Sequence, residues 1–92
     1  LHDPERFAQH LITATTLATA QLEHCKSLGY RGLARLPEMT AEPYRSLVDF
    51  PSYRRQTAVA LDTPDRGMTQ VTVTVSWDGD ANAVHMRLIV AE

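Results

Sequence analysis

Apolar residues fall at intervals of three and four through the first third of the chain. Phe7, Leu11, Ala14, Ala18, Leu22, Cys25 and Leu28 share one helical stripe, with Gln9, Thr13, Thr16, Glu23 and Ser27 opposite. Asp3-Pro4-Glu5 supplies the start: a capping acceptor, a proline at the first helical position and a carboxylate in the first turn. Gly29 supplies the stop. The spacing predicts a helix over 4–28, about 37 Å long at 1.5 Å per residue. Its stripe is thin in the middle, where alanine and threonine dominate.

Between Tyr30 and Pro51 the period disappears. Pro37, Pro43 and Pro51 break regular structure, so this stretch is expected to be a long loop, with room for one helical turn over 43–48. The last forty residues switch to period two. Thr57 to Leu61, Val71 to Trp77 and Val84 to Val90 are rich in β-branched residues, and Val71, Val73, Val75 and Trp77 alternate with Thr72, Thr74 and Ser76. Such strands have one dry and one wet face, as antiparallel sheets allow. Asp65-Arg66-Gly67 and Asp78-Gly79-Asp80 are hairpin-turn sequences. The expected fold is a single α+β domain over 1–92: a helix (3–29), a loop (30–52), and a three-stranded antiparallel meander (53–92) whose valine face covers the helix.

Composition changes this picture little. Ninety-two residues with 22% charged and 43% hydrophobic side chains describe one small globular domain with a thin core. A net charge of −2 gives no overall attraction to nucleic acid or anionic lipid. The distribution is uneven, however, with a basic middle and an acidic end. Arg31, Arg35, Arg45, Arg54 and Arg55 form a candidate phosphate-binding surface, and with Trp77, Tyr30, Tyr44 and Tyr53 a candidate single-strand stacking surface. The competing reading is a solvated surface over a core that Trp77 completes.

Candidate chemistry is sparse. Cys25 is the one cysteine, so no internal disulfide forms, and it sits on the packing stripe, where it reads as a small buried hydrophobe. His2, His10, His24 and His85 have no ligand spacing; His24 and Cys25 are adjacent and diverge by about 100° on a helix. Asp78, Asp80 and Asn82 have the spacing that opens a calcium loop but lack its closing glutamate, which favours a plain hairpin turn. No phosphate loop, serine elbow or dinucleotide fingerprint is present. The expectation is a non-enzyme with neither cofactor nor metal.

Two stretches carry a resemblance. Residues 14–23, Ala-Thr-Thr-Leu-Ala-Thr-Ala-Gln-Leu-Glu, continue through Lys26-Ser27-Leu28-Gly29-Tyr30 and resemble the end of the long helix of type IV pilins. Residues 70–77, Gln-Val-Thr-Val-Thr-Val-Ser-Trp, resemble a strand of minor pilins and type II secretion pseudopilins, where the tryptophan precedes an Asp/Gly turn and a final hydrophobic strand. With Tyr53 to Leu61 these matches cover about two thirds of the chain in order. The family's peptidase site, glutamate and apolar span are not found in residues 1–13, so they are expected upstream of a trimmed or processed Leu1.

The resemblance implies a filament subunit with an inner-membrane helical anchor, assembling into a cell-surface or periplasm-spanning filament. Its partners are other subunits and the assembly platform. It implies that Phe7, Leu11, Ala14 and Ala18 form a subunit-packing face, bare of sheet, while Leu22, Cys25 and Leu28 lie in the core beneath Val73, Val75 and Trp77, with Val71 also in the core. A DNA-capturing pilin or a periplasmic adaptor is the alternative.

Overall fold

The computed structural model describes residues 3–92; the expectation of a surface His2 lies outside the described residues. Helix α1 spans Pro4–Leu33, and four strands follow: β1 (Met39–Glu42), β2 (Tyr53–Leu61), β3 (Met68–Trp77) and β4 (Asn82–Ala91). All neighbours are antiparallel, in the order β1-β2-β3-β4. The architecture is α+β as expected, but the sheet has four strands where three were predicted. The added strand lies inside the expected loop. Four residues between two prolines are too few to show a period, and β1 exists because it pairs with Arg55 to Ala58 of β2.

Asp3 caps the helix, its Oδ1 accepting from the backbone N–H groups of Glu5 (3.1 Å) and Arg6 (3.2 Å). Gly29 leaves helical geometry at φ 71° and ψ 178°, a region almost closed to side-chain-bearing residues. The chain then resumes one more helical turn, which swings Leu33 into full burial. The break at Gly29 resets the phase of the apolar stripe, so sequence periodicity places Leu33 in the loop.

Packing is two-layered. On β3, Thr69, Val71, Val73, Val75 and Trp77 are buried against the helix, while Gln70, Thr72 and Thr74 face the opposite, wetter side. From the helix come Ala14, Leu17, Ala18, Leu22 and Cys25, with Leu28 half-buried against them. Each fully buried valine or leucine stabilises by about 1.5–3 kcal/mol. The helix lies mainly over β3 and β4, touching β2 less.

Two expectations about this packing are corrected. Ala14 and Ala18, assigned to a bare subunit-packing face, are both fully buried in the domain's own core. The reason is strand length: β3 and β4 have ten residues each, about 33 Å at 3.3 Å per residue, so the sheet runs nearly the whole helix. Trp77 does not cover Leu22, Cys25 and Leu28. It meets His10 and Phe7 at the helix's N-terminal end, with ring centroids 6.1 Å apart in both cases. Further along, Gln21 bonds Thr57 (3.0 Å) and Thr19 lies against Met86 (3.7 Å). The helix therefore runs in the direction of β2 and β4, carrying Leu22 and Cys25 away from Trp77.

Candidate functional site

The helix's N-terminal end, the start of β2 and the β3–β4 hairpin converge into an aromatic cluster. Trp77 and Tyr53 are cross-strand partners with ring centroids 6.2 Å apart. His10 rests on both, nearly parallel to Trp77 at 25°, and its Nδ1 lies 2.6 Å from the Tyr53 hydroxyl. Phe50 meets Tyr53 edge-on at 6.4 Å. Trp77 and Tyr53 are buried, whereas Phe7 remains 38% exposed over Trp77. An open cleft of about 450 Å³ runs beside this cluster, with Asp3, Arg6, Phe7, Trp77, Asp78 and Asn82 among its walls.

The apolar surface extends along the helix. Leu11 is 42% exposed and Ile12 65%, both within the first half of α1. Leu11 lies on the expected assembly face; Ile12 lies off the main stripe, so periodicity does not mark it.

The hairpin tip is pinned from the β1–β2 loop. The Tyr44 hydroxyl donates to Asp80 Oδ1 at 2.6 Å and accepts from the Asp80 backbone N–H at 3.0 Å, and Arg54 Nε donates to the same carboxylate at 3.2 Å. The tip is a tight turn, with Ala81 N–H donating to the Asp78 carbonyl at 3.0 Å and positive φ at Asp78, Gly79 and Asp80. The carboxylate of Asp80 is thus committed to Tyr44 and Arg54. Burial, then the bond to Asp80, raises the Tyr44 phenol above its ordinary value.

The five arginines do not form one phosphate-binding surface. Arg54 and Arg55 are neighbours on β2, so they project to opposite sheet faces. Arg55 points toward the helix, forks onto Glu42 with two 2.8 Å bonds, and donates to the Leu17 carbonyl at 3.0 Å. Arg54 pairs with Asp80 on the other side. Arg31 lies in the last turn of the helix and Arg35 just beyond it, and Arg45 sits in the β1–β2 loop at φ 72°.

Cys25 is fully buried; desolvation pushes its thiol upward and the Arg55 cation opposes this. Such a thiol is a poor nucleophile. Among the described residues, no group of three or more His, Cys, Asp or Glu could hold a metal, and no helix is long and apolar enough to cross a membrane. Set against known proteins, the chain matches no family model, no curated protein and no solved structure.

Proposed function

We propose that this chain is the outward-facing domain of a filament subunit of the minor pilin or pseudopilin kind, and that it acts through assembly. In this reading an apolar helical anchor precedes the domain in the inner membrane, and the subunit joins a type IV pilus or a type II secretion-like filament. Its partners are other subunits and the assembly platform.

The observation that carries the reading is the exposure of the adjacent apolar residues Leu11 (42%) and Ile12 (65%) on the first half of the helix. Both lie toward the N-terminal end of α1 and outside the core that the sheet covers. Exposed apolar residues gathered in one place are typical of association surfaces. The buried alanines leave the assembly face smaller than the sequence suggests: Leu11 and Ile12, without Ala14 and Ala18, and with Phe7 packed on Trp77.

The test is Leu11→Ser with Ile12→Ser in the full-length protein. The isolated domain should keep its fold, because neither side chain is part of the core. Filament formation in cells should fall sharply. Normal filaments from a stably expressed double variant would sink the proposal.

A further inference from the structure

We infer that the two edges of the sheet pair between neighbouring copies of this chain, β4 of one against β1 of the next, with all copies pointing the same way. The inference rests on the assembly reading above, because a common membrane anchor requires parallel helices.

The fourth strand makes this geometry available. In an antiparallel sheet of four strands the two edges run in opposite directions. A copy displaced sideways without being turned over therefore presents β1 antiparallel to β4. A three-stranded meander would offer parallel edges instead. Both edges are open: Met39, Thr40 and Ala41 are exposed, and β4 alternates between half-buried and exposed along its ten residues. Open edges are usually defended by lysine, proline or a bulge. Over β4 there is neither proline nor lysine and Arg87 is the one Arg, while β1 is limited by its four residues and by Pro37 and Pro43 on either side.

The backbone phases agree. The Glu38 carbonyl accepts from Val59 N–H at 2.8 Å, which turns Glu38, Thr40 and Glu42 toward β2. Met39 and Ala41 then direct their N–H and C=O groups outward. At the other edge Glu92 N–H donates to the Gly67 carbonyl at 2.8 Å, which turns the even-numbered residues of β4 toward β3. Ala83, His85, Arg87, Ile89 and Ala91 direct theirs outward. Odd residues thus meet odd residues, and in both strands their side chains lie on the face away from the helix.

The side chains select a register. On that outer face the exposed large apolar residues are Met39, 54% exposed, and Ile89, 43% exposed, one at each edge. Setting Met39 opposite Ile89 buries them together and places Ala41 opposite Arg87, with no like charges facing. Only Met39 and Ala41 contribute bonds from β1, so a single contact is weak. Because the two surfaces are different, each pair of copies keeps one free β1 and one free β4, and the contact can be repeated from copy to copy.

The experiment is Met39→Cys with Ile89→Cys in one chain, oxidised at millimolar concentration. Directly opposed residues in this phase have Cα atoms about 5.5 Å apart, within disulfide reach. The native Cys25 is buried and does not interfere. The expected result is a ladder of dimers, trimers and higher species, with each single variant staying monomeric because its cysteine faces Ile89 or Met39 of the neighbour. Adding Ala41→Pro should erase the ladder while leaving melting unchanged, since the lost N–H faces outward and Pro is tolerated on edge strands. Absence of species beyond the dimer, or a ladder indifferent to Ala41→Pro, overturns the inference. These outcomes are read in the purified chain. They stand apart from filament formation in cells, which tests the helix patch alone.

Discussion

His10 Nδ1 and the Tyr53 hydroxyl lie 2.6 Å apart, joining the first half of the helix to the start of β2 across 43 residues of sequence. Both rings also pack on Trp77, so one bond and three ring contacts hold this end of the two layers together. Removing the hydroxyl with Tyr53→Phe should cost about 1 kcal/mol. Thermal melting measures the loss, and hydrogen exchange should show it concentrated in the helix before Ala14. A uniform change across the chain would show that the bond does not anchor this end in particular.

The small residues of the helix face are a sharper probe. Ala18 has no exposed surface and sits between helix and sheet. Ala18→Leu should overpack the interface and destabilise the isolated chain by about 1–3 kcal/mol. Leu22→Ala should cost about 2–5 kcal/mol by opening a cavity. Ile12→Ala should stay within about 0.5 kcal/mol. If urea denaturation finds Ala18→Leu neutral, the helix does not sit as closely on the sheet as described.

Arg55 should be intolerant of change. Its guanidinium holds Glu42 of β1 and a carbonyl inside the helix at once. Arg55→Met keeps the packing of the stem but leaves Glu42 and the Leu17 carbonyl without this partner, and should cost about 2 kcal/mol. Because β1 has only four residues, exchange protection in β1 should fall furthest. Protection of β1 equal to that in the native chain would overturn this assignment.

Thr69 offers a gain. Its Oγ1 is buried and, among the described residues, has no hydrogen-bond partner. Thr69→Val replaces the hydroxyl with a methyl of similar shape in the interior of β3. Melting should be unchanged or raised by about 1 kcal/mol in stability. A clear loss of stability would reveal a bond to that hydroxyl.

Alkaline pH should weaken the fold through Cys25. Burial holds its thiol above the ordinary value of 9.0, despite the opposing Arg55 cation. The folded state therefore binds this proton more tightly than the unfolded chain. The contribution is complete below pH 9.0 and is lost as pH rises through the higher folded value. Tyr44 is shifted the same way and adds to the decline at still higher pH. Melting midpoints of the native chain should fall more steeply with pH than those of Cys25→Ala. Parallel slopes would show that the thiol titrates normally.

Local periodicity determined the helix start at Asp3, the break at Gly29, the valine face of β3 and the Asp78-Gly79 hairpin. In each case residues within a few positions dictate the conformation. A cap, a positive φ and a run of alternating β-branched residues need no distant partner to be legible. What lay beyond the sequence were features that distant partners create. Met39–Glu42 is a strand only because β2 offers it an edge, and Leu33 is core only because Gly29 redirects the turn that carries it. Ala14 and Ala18 look like a face for another molecule until the length of β3 and β4 places a sheet against them. The same holds for the candidate surfaces. Arg54 and Arg55 are adjacent in sequence, yet strand geometry sends one to Asp80 and the other to Glu42. Composition fixes which side chains are present, whereas the direction of the helix along the sheet decides which remain open to a partner.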